Sequence, residues 1–412
     1  MSNEMKPRLR LSPYKDDWEK FVLKDKASFS TGHGYSKNDL RTVGKPIILY
    51  GRLYTNYETI IRDVDTFVIE QPNSILSKGG EIIIPSSGET AEDISVASMI
   101  AKAGIIIGGG LNIIKTNEIE PAFLALLLTF GKPHKDLTKS AQGKTIVHLY
   151  NQDISQVDIV IPKTKEEQRT LAYFIDKMDS MIIRTEKELS KLQEVKKAYR
   201  SMLFPRPGEK KPQLRFKDFS EDWNSMPLSY YACKVTTKNT TGAVTESFTN
   251  SAEFGIVSQL DFFEHEITNE SNNTNYFVVN EDDFVYNPRI SSFAPVGPIN
   301  RNKLGRKGIM SPLYMVFTIQ GIEPMFLEYY FQTTLWHHYM KMNGNTGARH
   351  DRFSISDDKF FNMPIPTPCL EEQKAIGNML YNIDKLISAQ SRRIISLKRI
   401  KSACLDGMFV ND

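Results

Sequence analysis

Two hydrophobic patterns alternate along this chain, and each occurs twice. In the first, short β-branched and aromatic runs (residues 82–84, 277–279 and 315–319) are separated by Gly, Pro and Asn, which predicts strands and turns. In the second, seam positions recur in steps of four and three: Leu171, Ile175, Met178, Ile182, Thr185, Leu189, Leu192, Lys196, Tyr199 and Leu203. That spacing predicts a long helix with a heptad seam. Adding 205 to each position gives Ile376, Leu380, Ile383, Ile387, Gln390, Ile394, Leu397, Lys401, Cys404 and Met408. The seam therefore repeats with its polar interruptions in place, Thr185 with Gln390 and Lys196 with Lys401. A sustained seam needs a partner seam, and the simplest partner is the other helix. The matched lysines either fix register or mark wet helix ends.

The same offset organises the flanks. Pro7-Arg8-Leu9-Arg10-Leu11 returns as Pro212-Gln213-Leu214-Arg215-Phe216, Asp17-Trp18 as Asp222-Trp223, and Glu166-Glu167-Gln168 as Glu371-Glu372-Gln373, all 205 residues apart. Between these blocks only islands match: Ile119-Glu120-Pro121-Ala122-Phe123-Leu124 with Ile322-Glu323-Pro324-Met325-Phe326-Leu327 and Pro85 with Pro288 at 203, and Pro162 with Pro366 at 204. The halves are homologous units whose centres diverged while the frame stayed. The shared Ile-Glu-Pro motif predicts the start of a short helix. Both long helices begin after a Pro-rich boundary, Ile161-Pro162-Lys163-Thr164 and Pro364-Ile365-Pro366-Thr367-Pro368. Thr164 followed by Glu167 predicts a capping box, whereas Cys369 stands where Thr164 would be and predicts a weaker cap.

At 412 residues the chain exceeds one ordinary core, so the boundaries read as a globular domain over 1–160, a helix over 161–205, a second domain over 206–365 and a second helix over 366–412. The fold class expected is α+β: two strand-rich mixed domains joined by two long antiparallel coiled-coil helices, a pseudo-twofold tandem repeat. No apolar run reaches the ~20 residues of a membrane span, and the first residues carry no secretory pattern, so a cytoplasmic location is expected. Cys233, Cys369 and Cys404 are scattered, which argues against a disulfide framework and a zinc site. A net charge of +3 leaves any nucleic-acid argument to local charge.

Two divergent globular domains, each followed by a near-identical helix with an Glu-Glu-Gln start and a Met202-Leu203-Phe204 or Met408-Phe409 end, resemble the specificity subunits of type I restriction-modification systems. The resemblance covers nearly the whole chain. It implies that each globular part is a target recognition domain reading half of a bipartite double-stranded DNA site. It implies that the helices pack antiparallel as a spacer. The subunit would have no catalysis and bind no cofactor. It would dock two methyltransferase subunits, which use S-adenosylmethionine to methylate adenine, and restriction/translocase subunits, which use ATP and Mg. A helix of 38 residues spans ~57 Å, or about 17 base pairs of duplex, which suits two words separated by an unread gap.

Charge then suggests where DNA is touched. Residues 284–322 contain no Asp or Glu, while Arg289, Arg301, Lys303, Arg306 and Lys307 sit there among Gly, Pro, Asn and Ser. Ser291 and Asn302 lie in the same stretch. Such a loop can neutralise phosphates and present Arg or Asn to base edges. In the first domain Lys132, Lys135, Lys139, Gln142 and Lys144 cluster with Asp136 as their only acid. The polar turn holding Asn345, Gly347 and Arg349 aligns with that cluster at offset 204, and Arg52 is a further candidate, with the turn around His33.

Catalytic motifs fail. Gly143-Lys144-Thr145 lacks the earlier Gly of a phosphate loop, because position 138 is Thr. Gly108-Gly109-Gly110 has no helix or ribose-binding acid after it, and Asn287-Pro288-Arg289 lacks the second Pro and the aromatic of an adenine methyltransferase motif. The pair His337-His338 reads as packing within an aromatic stretch. The competing reading is a coiled-coil scaffold with two protein-binding domains, and the acid-free basic loop separates the two.

Overall fold

The computed structural model describes residues 5–143, 146–263, 270–347 and 351–410. It divides into two compact units, residues 1–187 with 391–412, and residues 188–390. Each holds one globular domain plus a part of both long helices, which run over Lys165–Met202 and Leu370–Met408.

In the first unit a five-stranded sheet has the order Ser28–Thr31, Leu111–Lys115, Ile82–Pro85, Ser98–Ile100, Ile60–Ile61. Its neighbours are antiparallel except for the last pair. A second sheet of four strands joins Phe67–Val68, Lys45–Ile48, Ala103–Ile107 and Leu76–Lys78. The second unit's sheet has the order Ala232–Lys234, Met315–Ile319, Phe284–Tyr286, Ile299–Arg301, all antiparallel. Strand for strand this repeats the first four of the five-stranded sheet, so the centres keep one topology although their sequences match only in islands. The ribbon that closes each domain repeats as well: Glu19 pairs with Ile161 and Asn224 with Thr367, both antiparallel.

The Ile-Glu-Pro motif opens the helices Pro121–Phe130 and Pro324–Phe331, with Pro in the first turn where its missing N–H is harmless. Each is buried on nearly all sides and forms the hub of its core. Phe123 meets Trp18 edge to face with centroids 6.0 Å apart, and Phe326 meets Trp223 at 5.7 Å. The first half of each seam packs here: Leu171, Ile175 and Met178 in the first unit, Ile376, Leu380 and Ile383 in the second. The far end of the other helix joins them, with Leu405, Met408 and Phe409 in the first core and Leu203 and Phe204 in the second. The seam thus serves the globular cores as well as the partner helix.

Within each unit the helix segments run antiparallel. Asp179 and Glu186 pair with Lys401 and Lys398 in the first, and Glu188 and Lys196 meet Gln390 and Asp384 in the second. The seam lysines are not wet ends. Lys401 reaches Asp179 at 2.5 Å and Lys196 reaches Asp384 at 2.6 Å, with the lysine side chains only 17% and 19% exposed. Since Asp384 lies 205 positions after Asp179, the two pairs are one device used twice. Each ammonium also lies over a ring, Phe130 or Tyr329. The remaining seam positions Ile182 and Ile394 are buried, and Leu189, Leu192, Ile387 and Leu397 are half-buried.

The repeated Glu-Glu-Gln block is a clamp. Glu167 accepts two hydrogen bonds from Arg10 (2.8 and 2.9 Å) and Glu372 two from Arg215 (2.8 and 2.8 Å). The carboxylates raise the affinity of both guanidinium groups for their proton. Gln168 accepts from the backbone N–H of Glu120 at 2.8 Å and donates to the carbonyl of Pro162, while Gln373 accepts from Glu323 at 2.9 Å and donates to that of Pro368. The block therefore ties the long helix to the preceding segment and to the core helix together. Backbone bonds from Leu9 to Gly407 (2.8 Å) and from Leu214 to Met202 (2.9 Å) complete the frame, again at offset 205. This corrects the capping-box expectation: Thr164 does accept from the Glu167 N–H at 3.3 Å, but the Glu167 carboxylate is taken by Arg10 and Trp18.

No helix among the described residues is long and apolar enough to cross a membrane.

Candidate nucleic-acid interface

One loop arrangement recurs on both sheets. After the strand Ile82–Pro85, residues Ser87–Gly88 pair antiparallel with Val147–His148, and Gln142 bridges His148 through two backbone bonds of 3.0 and 2.8 Å. After Phe284–Tyr286, Arg289 bridges Arg352, the N–H of Phe353 donates to the Pro288 carbonyl (2.7 Å), and that of Ile290 donates to the Asp351 carbonyl (2.9 Å). Asn345–Thr346 pairs with Phe353–Ser354 to close the second loop. Each domain thus presents a turn after the strand that stands third in its sheet order, braced by the loop that follows its buried core helices. The ties are made by backbone, so they constrain position without constraining side-chain type.

The residues expected to touch DNA divide between this surface and positions already engaged by protein partners. Gln142 and Asn345 are exposed on the braced loops, Lys139 is exposed on the helix Lys132–Ser140 that leads into the first, and Arg289 is exposed on the second. Ser291 is half-buried, its hydroxyl accepting from the Ala294 N–H at 3.1 Å. Lys144 and Arg349 lie outside the described residues. Others are occupied. Arg301 bonds Glu328 (2.9 Å) and Asp282 (3.1 Å), and Lys303 bonds Glu328 (2.6 Å). Arg306 forms a fork with Glu246 at 2.7 and 2.6 Å, which holds that carboxyl below its usual range. Asn302 is fully buried, donating to the carbonyls of Asn280 and Arg306 and accepting from the Leu304 N–H, which shapes its turn. Arg52 bonds Glu58 and Asp65 at 2.8 Å each, folding its own loop back.

A stretch without acids in sequence is therefore not bare of acids in space. Glu246, Asp282 and Glu328 arrive from outside it and match three of its cations. Arg289, Lys307 and Arg352 are exposed and make no side-chain ion pair among the described residues; Lys135 and Lys139 do the same in the first unit. Arg352 was invisible to sequence reasoning, because its place beside Arg289 depends on a pairing across 63 residues.

His337 packs edge to face on Trp336 with centroids 4.5 Å apart, and burial lowers its pKa to about 4. Among the described residues no group of three or more His, Cys, Asp or Glu converges as a metal site would require.

The fold is similar to that of a solved type I restriction-modification system S subunit. It matches the S subunit from M. genitalium with a TM-score of 0.59 at 13% identity, over 99% of this chain and 100% of that one. It also matches a chain from a structural study of complex assembly and conformational transition of the type I R-M system, with a TM-score of 0.52 at 18% identity, over 97% and 100%. Residues 15–197 match the family described as type I restriction modification DNA specificity domain. Over that stretch the chain is similar to the type I restriction modification DNA specificity domain, and the clamp and sheet order of that stretch recur in the second half.

Proposed function

We propose that the chain is the specificity subunit that gives a type I restriction-modification enzyme its DNA site, with the recognition domains at 1–160 and 206–365 each reading half of a bipartite word. The helices at 161–205 and 366–412 set the unread gap and carry docking faces for two adenine methyltransferase subunits. The chain itself supplies no catalysis and binds no cofactor. S-adenosylmethionine belongs to the methyltransferase partners, ATP and Mg to restriction/translocase partners, and the assembly works in the cytoplasm.

One observation carries this reading: the buried Arg–Glu and Gln–backbone ties recur in both halves, Arg10–Glu167 and Arg215–Glu372 at offset 205 and the Glu120 and Glu323 donors at 203, whereas the braced outward loops differ in sequence and charge. A common frame with private loops suits a shared docking task and two separate reading tasks. Mapping modified adenines across a genome with and without this chain tests it. A bipartite word methylated only in its presence is expected, and identical maps would defeat the proposal. Replacing residues 19–160 should then change one half of the word alone.

A further inference from the structure

The loop between the strands Phe284–Tyr286 and Ile299–Arg301 ends in a tight turn. Ser291 and Ala294 exchange both backbone hydrogen bonds at 3.1 Å, leaving Ser292 and Phe293 as its two corners. The stem is held by the Asn287 N–H on the Pro298 carbonyl (3.0 Å) and by the Tyr286 hydroxyl on the Val296 carbonyl (2.9 Å). Gly297 closes it at φ +84°, where a Cβ would come 2.2 Å from the Asn287 oxygen. On this fixed stem the Phe293 side chain is 74% exposed.

A single exposed apolar residue is ordinary. Its setting here is not. At the base of the same loop Arg289 and Arg352 are bridged neighbours, exposed and without ion pairs among the described residues, with Asp351 as the adjacent acid. A protein-docking anchor sits in an apolar, desolvated patch, whereas this loop carries two serines before the ring and, at its base, two cations and one carboxylate. Cations that take phosphates, together with a rigid apolar tip, match a duplex groove, where the thymine C5-methyl is the apolar feature of the major-groove edge. In the first unit the equivalent stretch is Ser86-Ser87-Gly88-Glu89-Thr90, which has no ring and leads into Glu92 and Asp93.

We propose that Phe293 is a specificity-determining residue of the second recognition domain, packing on a thymine methyl while Arg289 and Arg352 hold the flanking phosphates. This rests on the DNA-reading function proposed above.

The test is selection from a randomised duplex library by the purified full chain, beside Phe293→Ala and Phe293→Leu. The expected result is that the wild-type chain enriches a bipartite word and Phe293→Ala loses preference for one thymine in one half-site. Phe293→Leu keeps that preference, and all three melt alike. Replacing that thymine by uracil should weaken wild-type binding about tenfold and leave Phe293→Ala unaffected. An unchanged word, altered preference in both halves, or equal uracil sensitivity in the two proteins would overturn the proposal and leave the ring as a protein contact. A wild-type chain that enriches no word would instead remove the DNA-reading function itself.

Discussion

Arg10→Ala isolates the energetics of the clamp. The change removes both guanidinium bonds to Glu167, whose side chain is only 4% exposed, and leaves Trp18 Nε1 at 3.3 Å as its remaining side-chain donor among the described residues. Breaking a buried pair from one side costs about 3–5 kcal/mol, because the surviving charge is stranded. In a unit of about 200 residues each kcal/mol moves the midpoint by roughly 2–4 °C, so calorimetry should show a fall of roughly 6–20 °C. Arg10→Met with Glu167→Leu should recover most of this, since an apolar pair of similar volume is often neutral, less about 1 kcal/mol for the lost Trp18 acceptor. The second unit offers a sharper comparison. Trp223 Nε1 is buried with no partner among the described residues, so Arg215→Met with Glu372→Leu loses no indole bond and should recover more fully. A single-mutant loss below about 1 kcal/mol, or a double mutant no better than the single, would refute the stranded-charge argument.

Three further outcomes follow from the same geometry. Lys196→Ala, which leaves Asp384 in a partly solvated seam with the Tyr329 hydroxyl still donating to it, should cost about 1 kcal/mol in chemical denaturation, and exchanging Lys196 and Asp384 should restore most of it. His337 binds its proton near pH 4 in the folded chain against 6.5 unfolded, so stability present above pH 6.5 should be lost as pH falls toward 4. After allowing for partial exposure this is on the order of 1–2 kcal/mol, and His337→Gln should flatten that slope. In DNA-binding titrations against salt, Lys139→Ala and Lys307→Ala should each lower the log–log slope by about 1, while Arg306→Ala should lower it less because Glu246 already occupies that guanidinium.

What the sequence displayed most clearly was the frame, and the clamp explains why. Glu167 and Gln168 meet specific partners, Arg10 and the Glu120 N–H, and a lost partner leaves a buried polar group that costs about 1–3 kcal/mol. Such positions keep their residue type through a duplication. The blocks were visible, but not that they touch, since Arg10 and Glu167 stand 157 positions apart. The shared sheet order was hidden for the converse reason. A strand such as Ile82–Pro85 asks only for apolar side chains, and Phe284–Tyr286 fills the same place with aromatics. The basic stretch is free of acids along the chain, but Glu328, Asp282 and Glu246 reach Arg301, Lys303 and Arg306 across space, which no linear charge pattern displays.

The same contrast explains how the two domains could diverge without unfolding. The braced loops are tied by main-chain bonds, Gln142 with His148 and Phe353 with Pro288, and a backbone donor is indifferent to the side chain beside it. Changing Gln142, Arg289 or Arg352 therefore removes no buried contact and should alter stability by less than about 0.5 kcal/mol. Loss of a base contact, by comparison, costs about 1–3 kcal/mol of discrimination. If substitutions at these exposed positions moved the melting midpoint as far as Arg10→Ala does, the loops would belong to the frame, and the division between common scaffold and private loops would not hold.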